Sequence, residues 1–178
     1  MAAGRGLKVF AGTVAVGVAL AAAIVWLRPR GPRLAPDFSL VDLEGRAVRL
    51  SALRGKVVLV NVWTTWCPPC REEMPSMDRL YRALESEGFA LLAVSQDDQG
   101  RAVVDAFVRE VPVSFPVLLD PERQVGSAYG VWGYPETFVI DREGLIVERV
   151  IGPRDWDTPE QKQQLRDLMA GGRPAASG

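Results

Sequence analysis

The chain has two cysteines, Cys67 and Cys70, and both fall in the run Trp66-Cys67-Pro68-Pro69-Cys70. A disulfide between them closes a very short loop, which removes little freedom from the unfolded chain and makes a purely structural role a poor explanation. Two thiols at this spacing suit thiol–disulfide exchange, in which one attacks an incoming disulfide and the other resolves the mixed disulfide. The chain has no histidine, which excludes Ser-His-Asp and Cys-His catalysis and histidine-bearing zinc sites. Arg71 follows Cys70, so the haem-attachment pattern is absent too. Half a zinc site would need two more ligands, and there is no further cysteine or histidine to supply them. Two thiolates also bind copper(I), but the two-residue spacing and the missing histidine count against a copper-handling role. The expectation is a redox centre made of the pair itself, with no metal and no other cofactor.

The neighbouring elements give the pair its chemistry. Val57–Trp63 is a near-continuous apolar run, the pattern of a central strand buried on both faces. It leads through Thr64-Thr65-Trp66 to a helix expected to begin at about Pro68, a residue suited to the first helical position. Cys67 then sits at the positive end of a helix, where free N–H groups favour a thiolate. Such sites lower a cysteine pKa from about 8.5 to between roughly 3.5 and 7.5. The expected roles are Cys67 as exposed attacking nucleophile and Cys70, one turn on, as buried resolving thiol. Pro68 and Pro69 both lack an N–H, so few donors stabilise the thiolate and the loop is stiff before the bond closes. Both effects favour the disulfide, and hence a reductant.

The remaining elements alternate. Phe38–Val41 and Ala47–Leu50 flank Glu44-Gly45 and predict a hairpin. Met74, Met77, Leu80, Tyr81 and Leu84 share one side of the helix that follows the cysteines. Phe89–Val94 predicts a second buried strand, Val103, Val104, Phe107 and Val108 an amphipathic helix, and Phe115–Leu119 a strand. Thr137–Ile140 and Leu145–Ile151 form a second hairpin around Asp141-Arg142-Glu143-Gly144, and a last helix spans about Thr158–Met169. The expected class is α/β, with one central mixed sheet flanked by helices and an N-terminal β-hairpin.

Before this domain, Val9–Leu27 is uncharged, and as a helix it would reach about 28 Å, close to the roughly 30 Å hydrocarbon core. It reads as a single transmembrane anchor, with a cleaved signal peptide as the alternative because Ala21-Ala22-Ala23 offers a small-residue cleavage site. Trp26 followed by Arg28 and Arg30 resembles an interfacial belt and favours the anchor. Residues 1–8 would be cytoplasmic, 28–34 a stiff Pro/Arg linker, 35–170 the domain and 171–178 a disordered tail. Arginines and lysine flank both ends of the run, so the positive-inside rule does not orient it. Five basic residues precede the first acid, Asp37; without them 16 basic face 22 acidic residues, about −6. Such a surface has no electrostatic footprint for nucleic acid. A monomer is expected.

Three blocks carry a resemblance. Ala35-Pro36-Asp37-Phe38, Leu53 through Trp63 and Trp66 through Pro75 are similar to the extracytoplasmic thioredoxin-like proteins of the TlpA and ResA kind. Gly130 through Asp141, with Tyr134-Pro135-Glu136-Thr137, resembles the proline loop of the DsbE (CcmG) branch, reductants of cytochrome c maturation. The resemblance implies a thioredoxin-like fold and a membrane-anchored protein-disulfide reductase on the periplasmic or extracytoplasmic side of the inner membrane. Apocytochrome c is an implied substrate, and a membrane protein of the DsbD or CcdA kind the electron donor. It also implies that Pro135 is cis and packs opposite the cysteines, leaving the Tyr134 backbone as an edge for substrate. Trp66, Tyr134 and Trp132 are expected to line the substrate groove. Asn61 stands where thioredoxin keeps a buried aspartate and cannot accept a proton, so Glu136 becomes the expected proton acceptor. This fold also hosts thiol peroxidases, and Thr64-x-x-Cys67 matches half of their motif, but Val60 stands where their proline belongs.

Overall fold

The computed structural model describes residues 33–172. The expected cytoplasmic segment, the 9–27 anchor, most of the linker and residues 173–178 lie outside the described residues. Among the described residues no helix is long and apolar enough to cross a membrane.

Among the described residues eight strands form one mixed sheet: β1 (Arg33–Leu34), β2 (Ser39–Asp42), β3 (Ala47–Arg49), β4 (Val57–Trp63), β5 (Phe89–Ser95), β6 (Val117–Leu119), β7 (Glu136–Ile140) and β8 (Leu145–Ile151). Their order is β1-β8-β7-β4-β5-β6-β2-β3. β5 runs parallel to both β4 and β6, and the other pairings are antiparallel. Among the described residues four α-helices cover the sheet: α1 (Pro68–Leu84), α2 (Arg101–Glu110), α3 (Gln124–Tyr129) and α4 (Pro159–Met169).

β4 lies at the centre, and all seven of its residues are buried. Successive strand side chains point to opposite faces, so the strand feeds two cores. Val57, Leu59 and Trp63 pack with Met74, Met77, Leu80 and Leu84 of α1, Phe107 of α2 and Leu165 and Leu168 of α4. Val58, Val60 and Val62 pack on the other face with Phe38, Leu40, Leu50 and, from α3, Val125 and Tyr129. Each fully buried Val or Leu contributes about 1.5–3 kcal/mol, so this strand anchors both layers.

The structure departs from the expected elements at three places. Arg33 and Leu34, read as linker, pair with Ile146 and Leu145 of β8. β6 begins at Val117, because Pro116 has no N–H to give a ladder. The short helix α3 was not expected at all.

Candidate active site

β4 delivers the chain through Thr64–Trp66 to α1, and Cys67 is the N-cap of that helix. Pro68 and Pro69 occupy its first two positions, so the first helical N–H available is that of Cys70. It donates to Cys67 Sγ at 3.3 Å, while the Arg71 N–H goes to the Cys67 carbonyl at 3.3 Å. The two sulfurs are joined as a disulfide. Cys70 is wholly buried and Cys67 only 4% exposed. The expected exposed attacker therefore shows solvent only a sliver of itself, because its side chain turns back over the helix start to take the Cys70 N–H. The asymmetry between the two is small but has the expected sense.

The turn before Cys67 is tied down by Asp97, which follows β5. Its carboxylate accepts the Thr65 N–H at 3.0 Å, the Thr65 hydroxyl at 2.7 Å and the Ser95 hydroxyl at 2.8 Å. Asp97 thus fixes the exit of β4 two residues ahead of Cys67.

A second carboxyl lies behind the pair. Glu73 is one helical turn beyond Cys70, on the same face of α1, and is 3% exposed. Oε1 accepts the Asn61 amide N–H at 2.8 Å, and that same amide also donates to Thr137 Oγ1 at 2.9 Å. Oε2 accepts the Arg154 backbone N–H at 3.2 Å and the Trp156 indole N–H at 3.3 Å. Burial pushes the Glu73 carboxyl up to about 7, against the opposing pull of these donors. Asn61 Oδ1 is buried and has no protein partner. Glu73 also borders a cleft of about 370 Å³ lined by Glu72, Pro75, Ser76, Arg79 and the Pro153–Asp155 loop.

Glu136, the expected proton acceptor, is placed otherwise. Alternation along β7 turns Thr137 toward α1 and Glu136 to the opposite face of the sheet. There its carboxylate pairs with Arg149 at 2.7 Å and accepts the Trp132 backbone N–H at 3.1 Å. Arg149 also donates to the Gly130 carbonyl at 2.7 Å. Glu136 and Arg149 together brace the 130–134 loop. The carboxyl on the cysteine side of the sheet is Glu73, which the sequence reading missed. A signal for it existed: an acidic residue seven positions before Leu80 and four before Met77, on the apolar stripe of α1.

The Tyr134–Pro135 peptide bond is cis. Trp66 is 62% exposed, and its ring meets that of Tyr134 edge-on at 5.6 Å. The Tyr134 hydroxyl donates to Gln96 Oε1 at 3.0 Å, and burial raises its pKa, which keeps the phenol a donor. Trp132, 92% exposed, stands out from the loop into solvent. Trp66 and Tyr134 are brought together beside Cys67; Trp132 is linked to them through the loop backbone.

A profile of the AhpC/TSA family matches residues 33–149. The chain is 41% identical over 135 residues to thiol-disulfide oxidoreductase ResA of Bacillus thuringiensis (strain Al Hakam), covering 76% of this chain and 74% of the relative. The chain is a thioredoxin-like protein of the AhpC/TSA family. Among solved structures, a Chlorobium tepidum protein assigned as thiol:disulfide interchange protein DsbE matches with a TM-score of 0.66 at 35% identity, over 79% of this chain and 95% of that one. A second, a thioredoxin-family thiol:disulfide interchange protein from Chlorobium tepidum TLS, gives 0.66 at 32% identity, over 76% and 97%. The resemblance to the ResA and DsbE kind is therefore shown by independent sequence and fold comparisons. With the fold, the cysteine pair and these relatives in agreement, this thioredoxin-like chain is a thiol-disulfide oxidoreductase whose redox centre is Cys67–Cys70.

Proposed function

We propose that the protein is a membrane-anchored reductant of protein disulfides, with its catalytic domain outside the cytoplasm and apocytochrome c as its substrate in cytochrome c maturation. The observation that carries the reductive direction is the helix start. Pro68 and Pro69 remove two donors, which leaves the single Cys70 N–H to favour a Cys67 thiolate. A poorly stabilised thiolate makes the dithiol the better electron donor. Anchor, location and substrate are supported by the apolar run 9–27 and by likeness to the ResA and DsbE kind.

In the reaction, the Cys67 thiolate attacks one sulfur of the substrate disulfide and releases the other as a thiolate. Cys70 then loses its proton, with Glu73 as acceptor, and attacks Cys67 Sγ. The substrate leaves with both sulfurs reduced; the two electrons it gained come from the Cys67 and Cys70 thiols, which are oxidised as the Cys67–Cys70 bond forms. Glu73 fits this role because it is one turn from Cys70 and its pKa of about 7 lets it take and release a proton near neutrality. Trp66 and Tyr134 flank the docking surface, and a membrane dithiol donor of the DsbD or CcdA kind restores the pair.

In cells, Cys70→Ala should stall the reaction at the mixed disulfide, and the protein attached to Cys67 should be an apocytochrome c. Recovery of only unrelated proteins would sink the substrate assignment. A reduction potential at or above about −120 mV, the oxidising end of this fold's range, would overturn the direction.

A further inference from the structure

Gln96 lies just past the end of β5, two percent exposed, and no step of the reaction uses it. Its amide makes two side-chain hydrogen bonds of opposite sense. Oε1 accepts the Tyr134 hydroxyl at 3.0 Å, and Nε2 donates to Asp120 Oδ2 at 2.7 Å. Asp120 is itself fixed, because it accepts the backbone N–H groups of Gln124 and Val125 at the start of α3, at 2.9 and 3.0 Å. The Asp120 bond sets which end of the amide faces Tyr134, since a carboxylate accepts only from the NH₂ end. Gly126 closes the space from the α3 side: a Cβ there would stand 2.5 Å from Gln96 Oε1. The backbone N–H of Gln96 adds a bond to the Trp63 carbonyl at 2.9 Å, at the end of the strand that leads to Cys67.

We propose that Gln96 is a positioning residue for substrate docking, holding the Tyr134 ring edge-on against Trp66 through the chain Asp120–Gln96–Tyr134. It rests on the reading that a polypeptide disulfide docks beside Cys67, and it adds the group that preorganises the wall of that surface. Without the Gln96 oxygen the Tyr134 phenol is free to swing out, and the wall must be ordered at the moment of binding.

The test compares the reduced full-length protein with Gln96→Met and Tyr134→Phe, using two probes. One is a synthetic peptide whose own Cys-x-x-Cys pair is closed as a disulfide; the other is bis(hydroxyethyl) disulfide, too small to reach the wall. Each variant should raise the peptide concentration for half-maximal single-turnover reduction roughly three- to tenfold, the worth of one neutral hydrogen bond. For Gln96→Met the limiting rate, the reduction potential and the rate with the small disulfide should stay within twofold. The Trp66 indole resonance should shift as the Tyr134 ring current is lost, with those of Trp63 and Trp156 unmoved. The double variant should be no worse than either single one. Unchanged half-saturation in Gln96→Met, additive effects in the double variant, or a parallel loss with the small disulfide would each overturn the assignment. A wild-type protein that leaves the peptide oxidised would instead remove the reductase reading, and this proposal with it.

Discussion

Burying the Glu73 carboxyl sets the pH range in which it titrates. From its ordinary value of 4.5 to about 7, the folded chain holds a proton that the unfolded chain has released. Stability therefore falls as pH rises through that window, and the loss is complete above about 7. A shift of this size corresponds to roughly 3 kcal/mol. Glu73→Gln should abolish most of that fall, so its stability relative to wild type rises between pH 4.5 and 8, as read by urea unfolding at both values. The same variant should flatten the pH profile of disulfide reduction near 7. Glu136→Gln should leave that profile in place and loosen the Trp132 loop instead, because its carboxylate bonds Arg149 and the Trp132 amide. Glu73 was hidden in the sequence by its neighbour: Glu72 and Glu73 look alike until helical phase puts one in solvent and the other against Asn61. Glu136 was misleading because its nearness to Pro135 says nothing about the face to which β7 turns it.

Elements with strong periodicity were legible, and those shorter than the period were not. β4, β5 and α1 carry runs of seven residues or more, and their bounds fall within a residue or two of the expected ones. α3 spans six residues, with Val125 and Tyr129 as its only buried large side chains, too few for a pattern to show. Yet α3 matters for the site, since its start fixes Asp120 and its Gly126 leaves no room for a side chain against Gln96. Gly126→Ala should push the Gln96 amide off its partners and destabilise the fold by about 1–3 kcal/mol, the range for an overpacked core position. Thermal unfolding gives that cost, and the Trp66 resonance shows whether Tyr134 has moved. At α4 the cap is simpler. Thr158 Oγ1 accepts the Gln161 N–H at 3.2 Å, and Thr158→Ala should cost about 1 kcal/mol with no change in disulfide reduction.

At the scale of the molecule, stability resides in the sheet and the two cores it feeds. The disulfide closes a loop of only four residues, and the chain-entropy relation gives that closure no more than about 2 kcal/mol. Urea unfolding with and without dithiothreitol should therefore show a single transition in each case, separated by no more than that amount. A reduced domain that melts in two steps would mean that the pair holds α1 in place. A fold that tolerates both redox states with little change can release its electrons without reorganising.

The cleft beside α1 adds a consequence for traffic. Its rim of Glu72, Pro75, Ser76, Arg79 and residues 153–155 shares no residue with Trp66, Cys67, Tyr134 or Pro135. In the proposed reaction, a polypeptide docked over Cys67 would leave uncovered this separate cleft, which Glu73 borders. If Glu73 is the acceptor, its proton would leave by the back while sulfur chemistry continues at the front, and the two would not queue for one opening.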